Sequence, residues 1–250
     1  MNAPAPQNAA VELWNSLNHL SRDDGVQVER VLWKFRGQVA RKPNDFIARM
    51  GLARVLLMLG RKSEAMPHVE TVWGMRHGQA YEDLVSLGGL LVNCGKLPEM
   101  LDLYNSLSGF QGVHNDRILW QNAAELAFRL GDLSVWDHWD RITNAATLEQ
   151  RRWRSRLSAE GLNDAFQRHQ AIAEAIVGPY TSYFHGTIIP DGDGEATAYL
   201  EYFTDLDQDA RFEIEGAIAD RLDSDELIRV ADFVTVCVRG SAANRIEAAA

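Results

Sequence analysis

Three segments of the chain decide its fold: FIARMGLARVLLMLG at residues 46–60, YEDLVSLGGLLVNCG at residues 81–95 and RILWQNAAELAFRLG at residues 117–131. Each is an apolar run that closes on a glycine, and the three glycines lie 35 and 36 residues apart. A fourth glycine, Gly25, lies 35 residues before the first of them. A period in the thirties is typical of stacked pairs of helices. The segments therefore predict a helical repeat.

Small and apolar residues recur at fixed distances before each of these glycines. Seven residues earlier stand Ala53, Gly88 and Ala124, and further apolar residues stand three, four and eight residues earlier. This spacing places them on one face of a helix. We therefore expect the three small residues at close, buried contacts between helices. Because glycine ends helices in a left-handed conformation, we expect turns at the following positions: Gly25, Gly60, Gly95, Gly131 and Gly161.

The repeat pattern resembles the tetratricopeptide repeat family over roughly residues 10–145. The matching residues are Trp14 and Trp120 at the early aromatic position, Leu87 and Gly88 inside the first helix, Ala65 early in the second helix, and Ala40, Pro43 and Asn44 at the repeat ending. Arg49 and Trp136 depart from the pattern, because they replace an aromatic and a small residue. The resemblance implies a mainly α fold: a tetratricopeptide-like α-solenoid of antiparallel helix pairs, followed here by a small acidic α+β module.

The chain divides into four predicted parts. Residues 1–10 and 241–250 are expected to be disordered tails, residues 11–177 a helical-repeat domain, and residues 178–240 the acidic module. The period weakens after Arg141, and two further helices are expected to cap the repeats before Gly178 and Pro179 interrupt the helical pattern. The seven tryptophans fall mostly on apolar helical faces, so we interpret them as core residues.

Inside the module, strand-forming residues come first. β-branched and aromatic residues at 180–189 and 196–203 flank a loop rich in glycine and aspartate, which predicts a β-hairpin. A helix that starts at Asp205 or Asp207 is expected to follow, and then a second helix capped by Asp223. Residues 227–238 fit either the end of that helix or a third strand, and we favour the helix.

The acidic charge of the protein is confined to its last third. Residues 1–177 carry 20 Lys and Arg against 20 Asp and Glu, whereas residues 178–250 carry 5 Arg against 15 Asp and Glu. The whole net charge of −10 therefore lies in the second part. Such a surface repels polyanions, so we expect no nucleic acid partner. The arginines at 151, 152, 154 and 156 form the one dense basic cluster, which we interpret as a solvated helix face.

Motifs of common catalytic and metal sites are absent from the sequence. It has no P-loop, no dinucleotide-binding glycine pattern, no His-Glu-x-x-His and no nucleophile elbow. Its histidines stand singly, without another histidine or a cysteine at the spacing of a zinc site. Asp191, Asp193 and Glu195 alternate in the hairpin loop, but the later bidentate glutamate of a calcium loop is missing. We expect no metal and no cofactor.

The family resemblance implies a concave groove lined by the first helix of each pair. The family's groove positions correspond here to Met50, Arg54, Met58, Glu82, Val85, Asn93, Gln121, Glu125 and Arg129. This mixture of apolar, amide and charged side chains suits an extended peptide or a partner helix. The Lys and Asn carboxylate clamp of chaperone-binding members is not matched, so recognition of an acidic C-terminal tail is not implied.

The favoured function is a non-catalytic scaffold or adaptor that binds a protein partner in the groove, and its oligomeric state is left open. One alternative is a small enzyme with its site in the module, where His185 and Asp191 or Glu195 would act as acid and base. A buried pair of His185 with a carboxylate would favour that alternative. A second alternative is a charge-mimicking inhibitor, whose acidic module would occupy the basic site of a nucleic-acid-binding or toxic protein.

The sequence also bears on location. No stretch approaches 18 uninterrupted apolar residues, so no membrane span is expected. Residues 1–10 have neither the positive charge nor the apolar centre of a secretory signal. Cys94 and Cys237 are far apart in apolar runs and are expected to be free thiols. These features predict a cytoplasmic protein.

Overall fold

The computed structural model of the protein describes residues 8–17, 25–190, 195–222 and 224–240. Within them the chain is mainly helical and carries one three-stranded sheet. The helices are α1 (Asn8–Ser16), α2 (Gly25–Arg41), α3 (Phe46–Met58), α4 (Lys62–Gly74), α5 (Tyr81–Cys94), α6 (Leu97–Leu107), α7 (Arg117–Leu130), α8 (Leu133–Thr143), α9 (Leu148–Ala159), α10 (Asn163–Val177), α11 (Gln208–Ala219) and α12 (Asp225–Val230). The strands are β1 (Thr181–Pro190), β2 (Ala196–Thr204) and β3 (Val234–Gly240). None of the described helices has the length and apolar content that a membrane crossing requires.

Polar side chains set the starts of several helices. Asp45, Asp116 and Asp207 each accept a hydrogen bond from the backbone N–H three residues on, at 2.9, 2.9 and 2.8 Å. This satisfies a donor that the first turn of a helix leaves free. Ser224 caps α12 in the same way at 3.4 Å, and Asp223, the predicted cap, lies outside the described residues.

Glycines in the left-handed conformation end four segments as predicted. The φ angles of Gly60, Gly95, Gly131 and Gly161 are 75°, 80°, 66° and 69°. Gly25 differs, because it is the first residue of α2 and the residues 18–24 before it lie outside the described part. The predicted N-terminal tail is also too long, since α1 already begins at Asn8; residues 1–7 and 241–250 are not among those described.

The helices before the sheet pack in pairs and in a row. α3 packs on α4, α5 on α6 and α7 on α8. In addition, α1 contacts α3, α3 contacts α5, and α5 contacts α7, so that α1, α3, α5 and α7 follow one another in a row. We call these four helices the inner row. Beyond α8 the arrangement changes, because α10 contacts α7 whereas α9 packs on β1 and β2. One of the two expected capping helices therefore extends the row and the other supports the sheet.

The three small residues that precede the repeat glycines are buried, as predicted. Ala53 is inaccessible and Ala124 is 4 % exposed. Gly88 of α5 lies under the ring of Tyr104 of α6, and a Cβ atom on Gly88 would come within 2.3 Å of Tyr104 Cε1. A ring laid on a helical glycine brings these two helices close together.

The sheet has the order β1-β2-β3, with β1 antiparallel and β3 parallel to β2. The predicted hairpin is confirmed. The favoured helix over residues 227–238 is wrong beyond Val230, because the alternating residues from Val234 to Val238 pair with β2 and bury Val234 and Val238. Only the neighbouring strand reveals that this segment completes a sheet.

The helices and the sheet share one hydrophobic core. Phe128 of α7 belongs to this core, and its ring lies 5.4 Å from that of Trp136 and 5.6 Å from that of Trp153. Phe128 also packs on Gly186 of β1, where a Cβ atom would come within 2.6 Å of the ring. Trp153 Nε1 donates a hydrogen bond to the Phe233 carbonyl at 3.0 Å. Residues on both sides of the predicted boundary at 178 are thus packed together.

Most tryptophans lie inside, but one does not. Four are buried: Trp120, Trp136, Trp139 and Trp153. Trp14 and Trp73 are half-buried. The prediction is wrong for Trp33, which is 67 % exposed and has the guanidinium of Arg36 beside its ring. An apolar position on one helix is buried only where a neighbouring element covers it.

The basic cluster on α9 has several separate partners. Arg151 pairs with Asp140 at 2.9 Å, and Arg154 pairs with Asp137 at 2.7 Å, both on α8. Arg156 reaches across to Glu195 of the acidic module at 2.9 Å. Part of the module's negative charge is therefore used inside the molecule.

Candidate binding cleft

Five of the nine predicted groove residues are buried: Met50, Met58, Val85, Glu125 and Arg129. Glu82 and Gln121 are exposed, and Arg54 and Asn93 are half-buried. The prediction that all of them are available to a partner is therefore wrong for the buried five. The physical reason is that α3 packs against α1, α2, α4 and α5, while β1 covers α5 and α7.

Residues of the inner row contact β1 directly. Asn93 Oδ1 accepts a hydrogen bond from the Phe184 backbone N–H at 2.9 Å. Glu125 Oε1 lies 3.1 Å from His185 Nδ1. The guanidinium of Arg129 lies 5.5 Å from the centre of the Phe184 ring. The chain's own strand therefore occupies this part of the predicted groove.

Arg129 also forms a buried ion pair that joins α7 to α10. Its side chain is fully buried, and its Nε donates a hydrogen bond to Glu174 Oε2 at 3.0 Å. Its other N–H groups reach Glu174 Oε1 and the Val92 carbonyl. Burial lowers the pKa of the nearby Lys62 ammonium, and the charge of Arg129 lowers it further. Because each nitrogen of the Arg129 guanidinium is hydrogen-bonded within the protein, we interpret Arg129 as a structural residue that joins α7 to α10 and α5.

An open cleft of about 660 Å³ lies beside β1. Its walls are the start of α7, the connection from α8 into α9, and the middle of β1. The lining includes Arg117, Gln121, Asn144, Gln150, His185 and Gly186. Gln121 belongs to the predicted groove, and Glu125 lies behind His185. The cleft is thus the open end of the surface that the inner row presents to β1.

Two asparagines hold the walls of the cleft in an unusual backbone conformation. Asn115 and Asn144, with φ angles of 67° and 51°, are the non-glycine residues with positive φ in the described part of the chain, and both line the cleft. The Asn115 N–H donates a hydrogen bond to the Thr143 carbonyl at 2.6 Å, which joins the two walls. Asparagine adopts positive φ more readily than most residues. Such backbone clusters at functional sites.

The start of α9 fixes the orientation of Gln150. The Thr147 N–H donates to Gln150 Oε1 at 2.7 Å, and the Gln150 N–H donates to Thr147 Oγ1 at 3.2 Å. This reciprocal pair is a capping box. Trp120 Nε1 donates to the same Gln150 oxygen at 3.4 Å, so that the side chain is held from both walls.

The charge of the cleft is positive or neutral. Arg117 and His185 are its ionisable lining residues, and no carboxylate is found among the described residues that line it. The Glu125 carboxylate is the acceptor for His185 Nδ1, which leaves Nε2 as an acceptor in the neutral ring. Amide side chains supply both donors and acceptors around these two groups. The cleft is suited to a polar ligand that carries negative charge.

The predicted pairing of His185 with Glu195 is wrong, and its alternative, a pairing with Asp191, falls outside the described residues. His185 pairs with Glu125 of α7, and Glu195 pairs with Arg156. Asp191 and Asp193 lie outside the described residues. In the part of the chain that the structure describes, no group of three or more His, Cys, Asp or Glu is arranged to hold a metal ion.

Most of the cleft was missed by reasoning from sequence. Asn115 and Arg117 follow residues 108–113, a segment with two glycines and no helical period, and Asn144 and Thr147 follow the point where the period weakens. One available signal was the Thr147-x-x-Gln150 pattern of a capping box, which marks a fixed helix start. The contact of His185 with Glu125 joins residues 60 positions apart, which no local pattern predicts.

These features define a mainly helical protein whose inner row carries a small mixed sheet, with a cleft at the edge of that sheet. Comparisons with protein-family models, with curated proteins and with solved structures found no significant match to the chain.

Proposed function

We propose that the protein is a non-catalytic scaffold that binds a segment of a partner protein, and that its helices form a tetratricopeptide-like α-solenoid. One observation supports this most directly. The inner row already holds an extended polypeptide, β1, through a side-chain hydrogen bond to its backbone and through contacts to its side chains. A surface of this kind binds a chain by its extended backbone.

The partner would bind in the cleft, where the same surface is open. Gln121 and Gln150 offer amide groups at its walls. We also propose a cytoplasmic location, supported by the free thiols of Cys94 and Cys237.

Site-specific cross-linking tests the scaffold function. A photoreactive amino acid is placed at Gln121 in the cleft or, as a matched control, at Glu70, an exposed residue of α4. We expect Gln121 to give a cross-linked partner in cells, and Glu70 to give none of the same mass. Equal cross-linking from both positions, or none from Gln121, would contradict the proposal.

A second candidate is a hydrolytic enzyme, and the His185–Glu125 pair favours it. The carboxylate of Glu125 is 6 % exposed and accepts from His185 Nδ1, so the other ring nitrogen is free to take a proton from water or a hydroxyl group. The test is turnover of a panel of nitrophenyl esters and phosphates. Activity lost in His185→Gln, but kept in His114→Gln at an exposed histidine, would support the enzyme. No turnover by the wild type would leave the scaffold as the better proposal.

A further inference from the structure

We infer that the cleft binds an extended acidic peptide, which adds as a fourth strand to the free edge of β1. This inference rests on the proposed scaffold function and names the partner's chemistry. Three features that lie at one place support it: an unpaired strand edge, a polar cleft and a positive charge in the lining of that cleft.

Among the described strands, the order β1-β2-β3 leaves one edge of β1 without a strand partner. The backbone N–H of Phe184 points out of that edge, because it donates to Asn93 Oδ1 on α5. In an antiparallel pair the outward and inward groups alternate along the strand. The N–H and C=O groups of Gly186 and Ile188 therefore point outward as well.

The pairing on the far side of β2 agrees with this assignment. Ala198 is opposite Ile188 in the register, and its N–H donates to the Phe233 carbonyl at 2.8 Å, away from β1. Ile188 and Ala198 thus do not exchange hydrogen bonds. No described residue hydrogen-bonds to the outward backbone groups of Gly186 or Ile188.

The cleft lies along this edge. His185, Gly186 and Thr187 line it in succession. A ligand on one face of a strand would meet every second residue, whereas a ligand at the edge meets consecutive ones. The free edge is short, because Asn93 closes it at Phe184 and Pro190 has no N–H to offer.

Both the shape and the charge of the site select the occupant. Two residues with outward N–H and C=O groups at alternate positions match the backbone of another extended chain. Arg117 carries the positive charge of the lining, and none of the described residues that line the cleft is a carboxylate. The occupant is therefore an extended peptide segment with at least one Asp or Glu.

The direct test is amide hydrogen exchange followed by NMR with a defined probe. The probe is the peptide acetyl-TVEVTVE-amide, and the controls are the same peptide with Lys in place of Glu and an acidic version methylated at alternate backbone nitrogens. We expect the acidic probe to slow exchange at Gly186 and Ile188 by roughly tenfold or more, as for amides that gain a hydrogen bond. Phe184, whose N–H is already bonded to Asn93, should change little. The methylated probe should not bind.

Charge reversal supplies a variant with a matched control. Arg117→Glu should weaken binding of the acidic probe by up to about fivefold, which is the range of one exposed ion pair. Arg152→Glu changes the same charge at an exposed position of α9 that does not line the cleft, and it should leave the affinity unchanged. Equal effects of the two variants would overturn the proposed site.

The remaining outcomes separate this inference from the scaffold function. If Gln121 cross-links a partner but no probe protects Gly186 and Ile188, strand addition is wrong and the scaffold function stands. If Gln121 gives no cross-link and no probe binds, both are wrong. Protection of the two amides that rises with protein concentration, without a probe and together with a dimer in light scattering, would make a second copy the occupant and overturn the peptide.

Discussion

A single glycine illustrates how tightly the repeats are packed. The space where Gly88 would carry a Cβ is filled by Tyr104, whose ring atoms lie 2.3 Å from it and whose hydroxyl oxygen lies 2.6 Å from it. Tyr104 is fully buried and its ring packs at 5.5 Å against Trp139, so it has no free space to move into. A larger residue at 88 must push α5 and α6 apart.

We therefore predict that Gly88→Leu lowers the free energy of unfolding by roughly 1–3 kcal/mol or more, as overpacked cores do. The measurement is urea unfolding followed by tryptophan fluorescence. Gly37→Ala in α2 is the control, because nothing lies within 4 Å of its Cβ position, and alanine there should be neutral or stabilising. A Gly88→Leu protein as stable as the wild type would contradict the close contact.

The buried ion pair gives a second prediction at the same scale. Glu174→Gln leaves the fully buried guanidinium of Arg129 without its counter-charge, and the loss of stability should be roughly 3–5 kcal/mol, as for other broken buried pairs. Glu160→Gln is the matched control, because both partners in its ion pair with Arg229 are about half-exposed. Equal losses from the two substitutions would contradict a structural role for Arg129.

His169 makes stability depend on pH. Burial lowers its pKa from 6.5 to about 4, and it is 2 % exposed. The unfolded chain therefore binds a proton near pH 6.5 that the folded chain does not bind until about pH 4. Stability is lost as the pH falls through this window, by up to about 3 kcal/mol in total.

We therefore compare the pH dependence of stability in the wild type and in His169→Gln. Between pH 7.5 and 5.5 the wild type should lose about 1 kcal/mol more than His169→Gln, which cannot titrate. Urea unfolding at the two pH values measures this difference. Parallel losses in both proteins would show that other groups cause the pH dependence.

At the scale of elements, the docking of β1 depends on α5. Asn93 supplies the acceptor for the Phe184 N–H, and its own Nδ2 is held by the Gly89 carbonyl. Because the amide is fixed in this way, it takes the place of a neighbouring strand at that position. The end of the free edge of β1 is therefore set by a helix side chain.

We predict that Asn93→Ala costs about 1 kcal/mol, the net value of one hydrogen bond, and speeds amide exchange at Phe184. Ser86→Ala on the same helix is the control, since its hydroxyl bonds only to the Glu82 carbonyl of its own helix. Unchanged exchange at Phe184 in Asn93→Ala would contradict this contact.

At the scale of the whole molecule, the helices and the sheet are not separable cores. Phe128, Trp153 and Phe184 lie in one cluster that spans both, and the ion pairs Arg156–Glu195 and Arg168–Glu226 join residues before position 178 to residues after it. The acidic part of the chain is thus attached by its apolar face as well as by its charge.

We predict a single unfolding transition. All seven tryptophans precede residue 154, so their fluorescence reports on the helices, whereas amide exchange of β2 reports on the sheet. The two probes should give the same urea midpoint if one core holds both. A sheet that unfolds at a lower midpoint would show that residues 178–240 form a separate unit.

The local features of this protein follow from short stretches of its sequence. The repeat glycines predict turns, and the small residues before them predict close contacts. Asp205 or Asp207 predicts a helix start, which the structure places at Asp207. Each of these depends on backbone conformation or on helix period, which neighbouring residues specify. The hairpin was predictable for the same reason.

What the inner row faces depends on contacts between residues that are far apart in the chain. Glu125 and His185 lie 60 residues apart in the chain. Arg129, which was predicted to line the groove, is buried against Glu174 of α10 and Phe184 of β1. Residues 234–240 form a strand because they pair with the edge of β2. Whether a side chain is exposed or buried depends on which distant element packs on it. That packing is set by the formation of the whole hydrophobic core and not by any local pattern.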